Sequence, residues 1–182
     1  MVKYIGILFT FVLTSFYFFP FEWKALPGIN TKMAMAAVGL CVYLVKLGKE
    51  RQGILDKDMF ILSLLAASVS FIGLFSVFYN NTPDYAYATY LISMWVWMGA
   101  AYLVICCIRW VHGNVSVPLL SNYLIAVCVF QCAMALWIDS SVAVKQIVDA
   151  YINQGHEFLD KAERLYGIGA ALDVAGSRFA AV

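Results

Sequence analysis

Met59-Phe-Ile-Leu-Ser-Leu-Leu-Ala-Ala-Ser-Val-Ser70-Phe-Ile-Gly-Leu-Phe-Ser-Val-Phe-Tyr79 carries no charged side chain from end to end. At about 1.5 Å of rise per helical residue, such a run reaches about 30 Å, the thickness of a bilayer's hydrocarbon core. Charged and turn-forming residues bound it on both sides: Lys49, Glu50, Arg51, Asp56, Lys57 and Asp58 before, and Asn80-Asn81-Thr82-Pro83-Asp84 after. The stretch reads as a membrane-spanning helix.

The same pattern repeats outward in both directions. Apolar runs extend from about Tyr4 to Phe19, Thr31 to Leu47, Ala86 to Ile108 and Val117 to Ile138. Bulk composition agrees: 63% of the 182 residues are hydrophobic and 13% charged, against about 45–50% and about 25% in soluble domains. The expected fold is an all-α integral membrane protein, one multi-span domain over residues 1–182. It has five transmembrane helices and the start of a sixth, with an outside amphipathic helix. A net charge of +1 gives no basic surface for nucleic acid.

The first run could be mistaken for a signal peptide, but no small-x-small cleavage site follows it. It meets instead Pro20-Phe21-Glu22-Trp23-Lys24, an aromatic and charged boundary of the interfacial kind, so it reads as an uncleaved span. Orientation follows from the basic residues. With the N-terminus inside, the cytoplasmic segments hold Lys3, then Lys46, Lys49, Arg51 and Lys57, then Arg109. The outside loops hold only Lys24 and Lys32, which favours N-in. The turn at Asn80 and everything after Asp139 are then outside, and Gly53 faces the cytoplasm.

On the third span Ser63, Ala66, Ala67, Ser70 and Gly73 recur at spacings of three and four. Small residues on one face let helix backbones approach closely, so this seam predicts a helix contact. Asn122 and Gln131 on the fifth span point to opposite faces and read as separate interhelical hydrogen-bond partners. No acidic residue lies in the core of the five spans, which weakens a transport pathway.

Beyond Asp139 the pattern becomes amphipathic. Val144, Ile147, Val148, Tyr151, Phe158, Leu159, Ala162 and Leu165 fall near one helical face. The segment 139–165 therefore predicts an interfacial helix, formed at least from Val142 to Asn153 and broken near Gly155, with Val144, Ile147, Val148 and Tyr151 buried against membrane or neighbouring spans. Val174 to Val182 are again apolar but too few to cross, and the reading takes them as a sixth span that continues past Val182.

Signatures of soluble enzymes are missing: no Gly-rich phosphate loop, no Gly-x-Ser-x-Gly and no His-Glu-x-x-His. Cys41, Cys106, Cys107, Cys128 and Cys132 all lie in apolar runs and read as small hydrophobes rather than a disulfide or metal set. No metal or cofactor is expected. His112 and His156 fall on opposite sides of the membrane and cannot share a site. The informative stretch is Arg164-Leu-Tyr-Gly-Ile-Gly-Ala-Ala-Leu-Asp-Val-Ala-Gly-Ser-Arg178-Phe-Ala-Ala. It offers an arginine, a Gly-containing connection, an N-cap candidate at Asp173, and a second arginine one and a half turns into a membrane helix. Helix N-termini and arginines both favour phosphate oxygens. Arg178 paired with Asp173, or snorkelling to the interface, accounts for the same residues.

This stretch, and the order of elements before it, resembles the bacterial O-antigen ligase and O-antigen polymerase family. The architecture agrees over the whole chain and the motif over Arg164 to Ala180, although Asp173-Val174 stands where the family often has Asn-Pro. The resemblance implies a glycosyltransferase in the bacterial inner membrane. It would move a glycan from an undecaprenyl diphosphate carrier to a lipid or glycan acceptor, with Arg164 and Arg178 as the diphosphate contacts. The family's catalytic histidine lies on a later periplasmic loop that neither His112 nor His156 matches. The catalytic residue is therefore unassigned, and residues 1–182 alone are expected to be inactive. A transporter or flippase subunit, or a non-catalytic membrane scaffold, remains the alternative from composition.

Overall fold

The computed structural model describes residues 2–50, 57–153 and Ile168. Its elements in order are α1 (Val2–Phe18), β1 (Glu22–Trp23), α2 (Thr31–Glu50), α3 (Lys57–Asn80), α4 (Tyr90–His112), α5 (Val117–Ser140), α6 (Val142–Tyr151) and β2 (Ile152–Asn153). Four helices, α2 to α5, are long and apolar enough to cross a membrane. The 17-residue α1 is shorter, about 25 Å at the helical rise, which is at the low end of spanning length. The protein is an all-α, multi-pass membrane protein.

The helix ends are written in local chemistry. Ser116 caps α5 by accepting the Leu119 N–H at 3.4 Å, and Pro118 sits in the first turn, where its missing N–H costs nothing. Gly113, at φ 79°, ends α4 by donating its N–H to the Arg109 carbonyl at 2.8 Å. Asn81, at φ 49°, ends α3. Asparagine tolerates this left-handed region better than most residues. The fourth span starts at Tyr90 rather than near Ala86, because Ala86 to Thr89 form turns, with Asp84 accepting the Ala86 N–H at 3.0 Å.

The described residues fall into two compact units, Met1–Met35 with Val104–Val182, and Ala36–Leu103. In the second, the seam expected on α3 is where the helix is covered. Ala66, Ser70, Gly73 and Val77 are buried, Ser63 and Ala67 half-buried, and the residues between them exposed. A methyl added to Gly73 would stand 2.7 Å from Ala88 N and Tyr87 C. One turn earlier, the Ser70 hydroxyl accepts the Leu91 N–H at 2.9 Å. It thus satisfies a backbone donor that the start of α4 leaves open. A second close approach went unread in the sequence: a methyl on Gly39 would lie 1.9 Å from the Gly99 carbonyl oxygen. Ala36 and Ala100 are fully buried beside this crossing, and Tyr43 meets Tyr102 edge-on.

In the first unit α1 and α5 run in the same direction. The first turns of α1 lie by the end of α4, with Gly6 close to Val111, and Phe16 and Phe21 reach Ile138 at the far end of α5. Between these ends Phe11 meets Phe130 edge-on at 5.6 Å, and Phe19 packs on Val127 and Cys128. Thr31 joins the start of α2 to the end of α1: its hydroxyl donates to the Phe16 carbonyl and accepts the Phe21 N–H.

Candidate functional site

At the end of the first unit where α1 and α5 finish, the loop after α1 is clasped to the chain after α6. Glu22 pairs with Asn153 and Trp23 with Ile152 in an antiparallel two-stranded ladder. The Lys24 N–H donates to the Tyr151 carbonyl at 3.0 Å, and the Lys24 ammonium donates to the Asp149 carbonyl. Gly28, at φ 83°, turns the loop back so that its N–H reaches the Glu22 carboxylate at 2.8 Å. Beneath the ladder Phe21, Ile138, Val148 and Ile152 form a buried cluster, with Phe16 and Val144 packed on it.

This ladder changes the reading of the amphipathic segment. The helix ends at Tyr151 rather than continuing through Asn153, because Ile152 and Asn153 take extended backbone to pair with β1. Residues 154–165, with the break at Gly155, lie outside the described residues. Within α6 the apolar residues divide into two sets. Val144 and Val148 face the protein cluster, whereas Ile147 and Tyr151 are 60% and 66% exposed, turned away from it. A helix with one apolar face on protein and another open suits a membrane interface.

Arg164 and Arg178, with Asp173, His156 and the start of the sixth span, lie outside the described residues. Ile168, between the two glycines of the same motif, is described: it is a half-buried turn residue packed against the cluster beneath the ladder. The motif is therefore tied at that position to the end of the unit carrying the loop after α1. The ladder itself had no signal in the sequence, since two residues cannot show a strand's alternation.

The opposite end of the same unit holds a second polar group. His112, in the last turn of α4, sits 2.9 Å from the Tyr123 hydroxyl through Nε2, and the Thr10 hydroxyl stands beside the same phenol. Thr10 and Thr14 are fully buried, each donating to the carbonyl four residues earlier. A groove of about 390 Å³ runs from His112 and Asn122 along Ile7, Leu8, Phe11 and Ala126. Asn122 is exposed in it, while Gln131 is 2% exposed and its Oε1 has no hydrogen-bond partner among the described residues. The expected interhelical bond to that oxygen is therefore not among those formed. Among the described residues, no three His, Cys, Asp or Glu side chains gather as metal ligands, and the five cysteines are free thiols.

No protein-family model, curated protein or solved structure matches this chain.

Proposed function

We propose that this chain belongs to a glycosyltransferase of the O-antigen ligase or polymerase kind. It lies in a bacterial inner membrane with its N-terminus in the cytoplasm and takes a glycan from an undecaprenyl diphosphate carrier at the periplasmic face. The acceptor is a lipid or another glycan. The observation that carries the reading is the docking of Ile168 on the cluster under the β1–β2 ladder. That contact sits inside the Arg164 to Arg178 motif, and its partners are the loop after α1 and the segment after α5. Four helices separate these two segments, so they share a membrane face. On the N-in orientation favoured by Lys and Arg placement, that face is the periplasmic one, where the donor is consumed.

The chemistry asked of this chain is electrostatic. Displacing a glycan from its carrier leaves negative charge growing on a diphosphate, and a guanidinium offers two parallel donors to phosphate oxygens. Arg164 and Arg178 are assigned that role, and the general acid or base is left to residues beyond this motif. The test is deletion of the gene in its host, with lipid-linked glycans extracted and their leaflet probed by an impermeant glycosidase. Undecaprenyl diphosphate-linked glycan accumulating where the glycosidase reaches it is the expected result. Accumulation only on the protected side would indicate a translocation step instead, and no accumulation would remove the reading.

A further inference from the structure

The groove at the α1 N-terminal end of the first unit has the build of a lipid site, and it is independent of the glycan-transfer reading. Its walls are hydrocarbon, from Ile7, Leu8 and Phe11 of α1 and from Leu119 and Ala126 of α5. Its polar lining includes the Asn122 amide, exposed, and the His112 ring held by Tyr123. Among the described residues of this unit, the charges that flank it along the chain are of one sign. Lys3 directly precedes the groove residue Tyr4, and Arg109 lies one turn before His112; both are exposed. The described acidic residues of this unit, Glu22, Asp139 and Asp149, all lie at its other end, beyond the C-termini of α1 and α5 or on α6.

An apolar slot between membrane helices, with hydrogen-bonding groups in it and basic residues next to it along the chain, matches one kind of neighbour. We propose that the groove holds an anionic phospholipid, its phosphate at Lys3, Arg109 and Asn122 and one acyl chain lying over Ile7, Leu8, Phe11 and Ala126. The phosphate pairs with the basic residues, and the chain covers apolar surface on α1 and α5. A second copy of this chain fits less well, because a copy in the same membrane orientation brings Lys3 and Arg109 to the same depth as their equivalents, like charge against like.

The exposed Trp110 beside Gly6 supplies a reporter for the groove. The protein is placed in nanodiscs with Trp23, Trp95, Trp97 and Trp137 replaced by phenylalanine, and its fluorescence is quenched by acyl-brominated lipid in a phosphatidylcholine background. Brominated phosphatidylglycerol should occupy the site about fivefold or more preferentially over brominated phosphatidylcholine, the effect of about one neutralised charge near a membrane surface. Lys3→Gln with Arg109→Gln should abolish the preference, and Ala126→Phe, which fills the slot, should lower quenching by both lipids. Native mass spectrometry of the chain with its tryptophans intact repeats the comparison on retained lipid, so the proposal does not depend on the reporter's folding. Equal retention of the two lipids, or a preference indifferent to the two basic residues, would overturn it.

Discussion

The two compact units hold their helices together by different means. In Ala36–Leu103 backbones approach closely, with Gly39 under the Gly99 carbonyl and Gly73 against Tyr87 and Ala88, and a serine hydroxyl on the Leu91 N–H and the Tyr43–Tyr102 ring pair add side-chain contacts. In the unit of Met1–Met35 and Val104–Val182 the contacts are made by large side chains, Phe11 on Phe130 and Phe19 on Val127, with polar fastenings at both ends. Lipid tails are as apolar as leucine, so hydrophobic burial gives little drive between spans, and close backbone packing supplies it in one unit. The other unit buries an apolar cluster under the ladder and α6, mostly of residues outside the helices long enough to span. The candidate site belongs to this second kind of region.

The largest expected effect is all-or-none. In a cysteine-free background, Leu26→Cys and Lys145→Cys should label from the same membrane face with an impermeant reagent, and Asn114→Cys from the other. The ladder joins the loop and α6, whereas Asn114 lies beyond the other end of α5. Opposite labelling of Leu26→Cys and Lys145→Cys would break the description of this unit.

Next is Val148→Asp, which leaves an uncompensated charge in the cluster under the ladder and should cost about 3–5 kcal/mol of local stability. Ile147→Asp, on the face turned away from that cluster, leaves the cluster intact and should cost about 1 kcal/mol. Hydrogen exchange over residues 142–151 measures both, and equal acceleration would show that the two faces of α6 are not distinct.

A glycine pair sharpens the contrast between units. Gly39→Ala drives a methyl into backbone and should destabilise by about 1–3 kcal/mol. Gly6→Ala meets the Val111 side chain at 2.9 Å, which can turn aside, and a helix-propensity gain of about 1 kcal/mol offsets the shift. Thermal midpoints in one detergent should fall for the first and hold for the second. A modest loss is expected for Tyr123→Phe, which removes the hydroxyl facing His112 and should cost about 0.6–1.7 kcal/mol in the same assay.

Much of the fold was legible because a bilayer imposes one simple demand, a long and largely apolar run, and α2 to α5 each meet it. The seam from Ser63 to Gly73 was legible for a similar reason: five small residues on one helix keep helical spacing. The Gly39–Gly99 crossing was not, since each span offers a lone glycine and nothing in the sequence fixes their relative height. Tyr123 and His112 escaped because a turn through Gly113 separates them and no periodicity relates residues on two helices. The ladder escaped because the pairing of Glu22–Trp23 with Ile152–Asn153 is decided by how α1, α5 and α6 pack. Of the candidate site, the sequence supplied Arg164 and Arg178 through their chemistry and setting. The structure adds the anchoring of Ile168 between them.

The most direct test of the glycan-transfer account is the transfer rate of Arg164→Lys and Arg178→Lys variants, matched for amount in the membrane of the host. Lysine keeps the charge but loses the paired donors. A lost charge-assisted contact of about 1.5–3 kcal/mol, if realised in the transition state, slows transfer roughly ten- to over a hundredfold. The account predicts a loss of that size in each variant with lipid-linked donor accumulating. Wild-type transfer in both would contradict it and leave the two arginines as interface anchors.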